Sequence, residues 1–208
     1  MRILVLGATG RTGAQVLEQA LGHGHDVTAF VRDPARLTAV HDRLQVVVGD
    51  VSDPAAVQDA VDGHDAVISA LGSRGERPVT VYSDGIANTI RAMTARGIHR
   101  LVVCSAGGAG GARNELPLTM RLFTASPGMK AIYDDLDRME GDIMLSDLEW
   151  TIVRPAGLTD GPLTGRYRTV LGSVVPKGQR ISRADVAALM LKCAEGDLYS
   201  RAAVAIAY

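Results

Sequence analysis

The chain has 208 residues, 47% of them hydrophobic and 22% charged, with a formal net charge of −1. That length fills one well-packed domain over 1–208 and leaves too little for a second, while the near-neutral balance gives no reason to expect a nucleic-acid or membrane partner. Only a short aliphatic run separates Met1-Arg2 from Gly7, too little for a signal-peptide core or a membrane span, so a cytoplasmic setting is expected.

The first predicted strand, Arg2–Leu6, runs straight into Gly7-Ala8-Thr9-Gly10-Arg11-Thr12-Gly13 and then a helix near 12–22 with apolar positions Ala14, Val16, Leu17, Ala20 and Leu21. Glycine at 7, 10 and 13 meets three needs of a dinucleotide site: a tight turn off the strand, close backbone approach to a pyrophosphate, and tight packing of helix on strand. The helix N-terminus then presents unpaired amides to the anion. The competing reading is a purely structural strand-to-helix turn.

Further strands are predicted at Asp26–Val31, Leu44–Val48, Ala66–Ala70, Leu101–Ser105, Trp150–Val153 and Ala203–Ile206, and helices near 54–61, 79–96, 130–146 and 183–195. Several strands are continuous apolar runs, as expected where both sheet faces are buried. Ser52-Asp53-Pro54 and Ser182 offer helix caps and a first-turn proline. Glycine- and proline-rich Ala106–Gly128 reads as a mobile loop over the site. Alternating strands and helices predict an α/β fold: a Rossmann-type, doubly wound, mainly parallel sheet with a small C-terminal substrate-pocket region.

Ligands of such sheets bind beyond the carboxyl ends of the strands. The second strand ends at Arg32, where an NAD-specific protein would usually carry a carboxylate for the ribose 2′-hydroxyl. A guanidinium there favours a 2′-phosphate, hence NADPH over NADH, with Arg36 and Arg11 able to join it. The alternative is a solvated arginine cluster around Asp33. After the third strand, Asp50 either accepts a bond from the adenine amino group or caps the next helix, and Val51 sits beside it. Ala70, Leu71 and Gly72 let a dinucleotide lie flat across the fourth strand, and Arg74 reaches phosphate or substrate. Cys104 and Ser105 end the fifth strand beside the expected nicotinamide ribose, where Ser105 is either catalytic or bonded to backbone. Arg154, Pro155, Ala156 and Gly157 would flank the pocket beyond the sixth strand, Arg154 serving the pocket or a structural ion pair. Gly161–Arg168 would form part of the rim. Besides Arg11 and the three glycines, Thr9 and Thr12 complete the cofactor-binding set.

Taken together, Gly7–Gly13, Val31-Arg32-Asp33, Val47–Val51, Asp65–Ile68, Leu71–Arg74, Pro162–Gly165 and Ile181-Ser182 resemble the atypical short-chain dehydrogenase/reductase superfamily. Within it they are similar to the flavin reductase (NADPH)/biliverdin-IXβ reductase group of NAD(P)H-binding, NmrA-like proteins. The resemblance runs almost end to end. It implies one NADPH-binding Rossmann domain with a shallow open pocket, and hydride transfer to flavins, quinone-like dyes or linear tetrapyrroles.

The chain also departs from that pattern. Superfamily alcohol dehydrogenases pair a tyrosine with a lysine four places on, which eases proton exchange with the substrate oxygen. Here Tyr133 is followed by Asp137, whose like charge opposes tyrosinate formation. By position, Leu136 and Gly157 replace pocket histidines of the biliverdin-IXβ reductases, and Ala106 a second serine. Tyr133 is therefore either a catalytic group or a ring packed on the sheet. A flavin or quinone spreads the incoming charge over its ring system, so solvent can supply the proton and the protein's main task is positioning.

No metal site is expected. His23, His25, His41, His64 and His99 lack ligand spacing, and Cys104 and Cys193 lack paired spacing. The expected partner is a small conjugated acceptor, and the expected state a monomer or small homo-oligomer. The competing function is a non-catalytic NAD(P)H-binding sensor of the NmrA-like type. A nucleotide-sugar epimerase is disfavoured because little chain follows the sixth strand.

Overall fold

The computed structural model describes residues 1–73, 75, 78–172 and 174–208. The first half of the chain alternates β1 (Arg2–Leu6), α1 (Arg11–Gly22), β2 (Asp26–Val31), β3 (Leu44–Val48), α2 (Pro54–Val61), β4 (Ala66–Ser69), α3 (Val81–Arg96) and β5 (Arg100–Cys104). The second half contributes α4 (Leu118–Thr124), α5 (Pro127–Leu145), β6 (Glu149–Pro155), β7 (Gly157–Thr159), β8 (Arg168–Leu171), β9 (Arg180–Ser182), α6 (Arg183–Glu195) and β10 (Ala202–Ala207). Eight strands form one sheet in the order β3-β2-β1-β4-β5-β6-β10-β8, parallel except for β8, which runs antiparallel to β10. β7 and β9 pair separately as a short parallel ribbon. This is the doubly wound Rossmann architecture expected from the alternating pattern.

The unbroken Ile3-Leu4-Val5-Leu6 run is explained by the two layers it serves. Side chains alternate across a strand, so Ile3 and Val5 pack with α1 and α6, while Leu4 and Leu6 pack with α2, α3 and α5. All four are fully buried. Two helix starts follow side-chain caps: Asp53 accepts from the Ala55 amide at 2.9 Å ahead of Pro54, and Ser182 Oγ accepts from the Asp185 amide at 3.0 Å. α1 differs, because Gly10 at its N-cap has no side chain to offer its first-turn amides.

Two segments depart from the expectations. Ala106–Gly128 is a pinned element, carrying a 3-10 turn at Ala112–Glu115 and then α4. Ala109 and Ala112 are buried, and the Gly110 amide donates to Asp137 Oδ1 at 2.7 Å. Its glycines enable tight turns: Gly108 and Gly110 both have positive φ, at 89° and 64°. The short strands β7, β8 and β9 also lie outside the predicted set, because runs of three or four residues are too short to carry a hydrophobic period.

Charge is buried on the later half of the sheet. Arg154 forms an ion pair with Glu140 of α5 and also donates to the Gly172 carbonyl, with side-chain exposures of 3% and 1% for the pair. Asp135 of α5 accepts the Tyr82 amide at 3.0 Å and the Ser83 hydroxyl, capping α3 from outside its own sequence. No helix among the described residues is long and apolar enough to cross a membrane.

Candidate active site

Strand order reverses between β1 and β4, and a groove of about 490 Å³ follows the strand ends there, a size typical of small-molecule sites. At its centre the glycine loop turns back on itself, the Gly10 amide donating to the Gly7 carbonyl at 2.9 Å. Gly7 has φ 77°, and a Cβ there would lie 2.4 Å from the Ala70 carbonyl oxygen. A Cβ on Gly13 would lie 2.2 Å from the Gly7 oxygen. The two glycines thus serve different ends: Gly7 lines the groove, whereas buried Gly13 lets α1 seat against the loop. Thr9, Gly10, Arg11 and Thr12 line the groove with Gly7.

Arg32 and Arg36 line one end. Arg36 closes a 3-10 turn, Pro34–Arg36, which Asp33 caps by accepting the Ala35 amide at 3.1 Å. Arg32 Nη1 stands 3.8 Å from Asp50 Oδ2. Asp50 accepts the Ser52 amide and hydroxyl, each at 2.9 Å. The Ser52 amide holds the Asp50 carboxyl below its ordinary value; burial opposes this, and the Ser52 hydroxyl and Arg32 reinforce it. Asp50 therefore shapes the turn after β3 and does not line the groove; Asp53, not Asp50, caps α2. Val51 does line it, as do Ala70, Leu71 and Gly72 beyond β4. Arg74 lies outside the described residues.

Cys104, Ser105 and Ala106 line the other end. Burial pushes the Cys104 thiol up to about 12, against the pull of Arg183, so it stays protonated. The Ser105 amide donates to the Val153 carbonyl at 2.8 Å, fixing the residue just past β5. Its hydroxyl is buried and has no hydrogen-bond partner among the described residues, which leaves it for a ligand.

Tyr133 lines the same end, its hydroxyl donating to the Gly107 carbonyl at 3.0 Å. Burial raises its pKa; Arg113, 5.4 Å from the ring centroid, opposes this and Asp137 adds to it. Asp137 itself takes the Gly110 amide and Arg113 Nη2, the latter at 2.5 Å. The position that a lysine would fill in the tyrosine–lysine pair is used to hold the loop down. Met129, Ile132 and Leu136 of α5 and Leu158 of β7 wall this end with apolar surface.

Pro155 and Ala156 do not line the groove. The Pro155 carbonyl accepts the Gly107 amide at 2.7 Å, and the Ala156 amide donates to Ile206 at 3.0 Å, so both serve the sheet. Of its two readings, Arg154 takes the structural one. Gly161–Leu163 lie on the outer side of Arg11, against Gln15 and Glu18 of α1. A groove residue absent from the sequence reading is Arg183, the first residue of α6. Its Nη1 lies 2.6 Å from Asp160 Oδ1, while Arg11 Nη1 lies 2.9 Å from Asp160 Oδ2, so one carboxylate bridges two guanidiniums at the cradle. Ser182, read as a cap, marked the helix end that delivers Arg183, but only the fold brings it to Gly7–Gly13.

The cradle, the exposed arginines and the orphaned Ser105 hydroxyl fit a dinucleotide laid across the strand ends. The chain is 33% identical over 178 residues to an uncharacterized chloroplastic protein of Arabidopsis thaliana, covering 79% of this chain and 61% of that one. It is 29% identical over 171 residues to the photosystem II assembly factor Ycf39 of Synechocystis, covering 80% and 48%. The chain thus spans between about half and three fifths of the length of these relatives. The solved structure of ChuY, an anaerobilin reductase from Escherichia coli O157:H7, superposes with TM-score 0.84 over 100% of this chain and 97% of that one; at 24% identity the likeness speaks for the fold alone. The family model described as NAD(P)H-binding matches residues 7–197, and the chain belongs to that family.

Proposed function

We propose that the chain is an NADPH-dependent reductase that delivers hydride to a flavin, quinone-like or related conjugated acceptor. The observation that carries this reading is the polarity of the groove. Guanidiniums of Arg32 and Arg36 stand at one end, and an apolar wall of Met129, Ile132, Leu136 and Leu158 stands at the other beside Ser105. When bound, a reduced nicotinamide supplies the hydride.

The chain's own residues bind and orient. Gly7–Thr12 and the uncapped α1 N-terminus hold the pyrophosphate, and Arg32 and Arg36 take the 2′-phosphate bidentately. The Ser105 hydroxyl meets the ribose or carboxamide. The α5 wall excludes water from the face on which a flat acceptor stacks, so rate comes from proximity and orientation. Tyr133 keeps its proton on the Gly107 carbonyl, and solvent protonates the reduced acceptor.

The test is loss of NADPH absorbance with menadione, FMN or riboflavin as acceptor. Turnover with at least one of them is expected, with NADPH preferred over NADH. Tight NADPH binding without oxidation by any acceptor would overturn the enzyme reading. It would favour a non-catalytic NAD(P)H sensor, a second reading supported by the commitment of the Tyr133 hydroxyl to backbone.

A further inference from the structure

We propose that His23, His25 and Glu195 form a site for a borderline transition-metal cation, of which Zn²⁺ is the probe of choice. The three side chains meet where α1 and α6 end, and the opposite ends of these two helices supply Arg11 and Arg183 to the groove. The inference is independent of the reductase reading.

His23 Nδ1 and His25 Nε2 lie 2.9 and 2.8 Å from the same Glu195 oxygen. The rings are 6.3 Å apart and tilted by 57°, so both nitrogens aim at one point from different directions. One ligand atom from each residue falls within 4.8 Å of the others. A tetrahedral cation with bonds of roughly 2.0–2.1 Å needs its ligands only slightly farther apart than these hydrogen bonds. Two imidazoles and a carboxylate suit zinc, copper or nickel, whereas magnesium and calcium prefer all-oxygen sets. Three protein ligands leave the fourth vertex to solvent, which reaches the half-exposed His23.

The site is preorganised from both sides. The His23 amide bonds Gln19 at 2.9 Å, the His25 amide bonds Ala20 at 3.1 Å, and Gly24 between them adopts φ 82°, which fixes the turn. Glu195 follows buried Cys193 and Ala194, which share a core cluster with Ala20 and Leu21. The carboxyl is held below its ordinary value: burial pushes it up, but the hydrogen bonds from His23 and His25 outweigh that. Two cations stand close, the Met1 amine 3.4 Å from His25 Nδ1 and Arg43 on the Gly24 carbonyl, so affinity must come from coordination rather than from the local field. On binding, each neutral ring carries its proton on the nitrogen that does not ligate the metal. Glu195 stands 172 and 170 residues beyond the two histidines, which is why no local spacing betrays the cluster.

The experiment is calorimetric titration of the chelator-treated full chain with ZnCl₂, with Co²⁺ absorption as a geometric readout. One zinc per chain, a raised melting temperature and intense tetrahedral Co²⁺ bands are expected, with MgCl₂ inert. His23→Gln, at a half-exposed position, and Glu195→Gln should each weaken zinc binding by more than the roughly 10–100-fold that loss of an outer-shell partner costs. His41→Ala should leave it unchanged. Absence of saturable binding at one per chain, or binding that survives both variants with circular dichroism unaltered, would overturn the proposal.

Discussion

The two ends of the groove are built on different principles. The arginine end is assembled from residues that directly follow β1, β2, β3 and β4, so each strand delivers its own ligand group. The Ser105 end joins the residues at and just past the end of β5 to apolar side chains of α5 and β7, far apart in the chain, and the charges around it serve the scaffold: Glu140 holds Arg154, and Asp137 holds Gly110 and Arg113. The arginine end is thus written locally, while the apolar wall of the Ser105 end is a product of packing. Substitutions at the first end should change affinity, and those at the second should change stability far more than chemistry.

The sharpest contrast comes from Glu140→Ala. It leaves the Arg154 guanidinium buried without its partner, a loss of about 3–5 kcal/mol expected by urea denaturation. A variant as stable as the wild type would break the contrast. Next, Gly13→Ala forces a methyl group onto the Gly7 carbonyl oxygen. A stability loss of about 1–3 kcal/mol is expected together with loss of measurable NADPH binding in a fluorescence titration.

Arg32→Ala removes charge-assisted bonds to a 2′-phosphate, each worth about 1.5–3 kcal/mol. NADPH affinity should fall roughly 10–100-fold, with NADH affinity little changed; an equal fall for both would refute the 2′-phosphate assignment.

Asp185 sharpens the comparison by pH. It accepts the Thr164 and Gly165 amides at 3.0 and 2.8 Å and the Tyr208 hydroxyl at 2.7 Å. Burial raises its pKa, but these bonds outweigh burial and the net shift is downward. A depressed folded value contributes stability that is present above the unfolded carboxyl pKa and is lost as pH falls through the folded value. Asp185→Asn should therefore cost about 1–3 kcal/mol at pH 7 and less near pH 3. An equal cost at both pH values would contradict the assignment.

The smallest effect is expected for Tyr133→Phe. It removes one hydrogen bond, about 1 kcal/mol of stability, and should change kcat with menadione by less than about threefold, because no step draws on that proton.

The same division explains how much could be read from sequence. The glycine loop and the groove-lining positions at the strand ends, Arg32 among them, were legible because they directly follow short, largely unbroken apolar runs. Of the two readings of Asp50, the helix cap fails because Asp53, three residues on, offers its carboxylate to the amides that follow it. Pro155 and Ala156 follow the strand-end rule, yet their backbone is spent on Gly107 and Ile206. Ala106–Gly128 looks mobile from composition alone, since Asp137 and Arg113, which anchor it, meet only in the folded state. Arg183 and the His23–His25–Glu195 cluster share that cause: helices α1 and α6 lie side by side although most of the chain separates them.

The most direct test of the account is the rate of NADPH oxidation by menadione for the wild type and for a Ser105→Ala/Tyr133→Phe double variant, each at saturating cofactor. If positioning rather than a dedicated proton donor drives the reaction, both proteins turn over and their kcat values agree within about tenfold, the double variant losing only the orientation that Ser105 supplies. A loss of 1,000-fold or more in the double variant with NADPH affinity intact, or no turnover by the wild type, would contradict it.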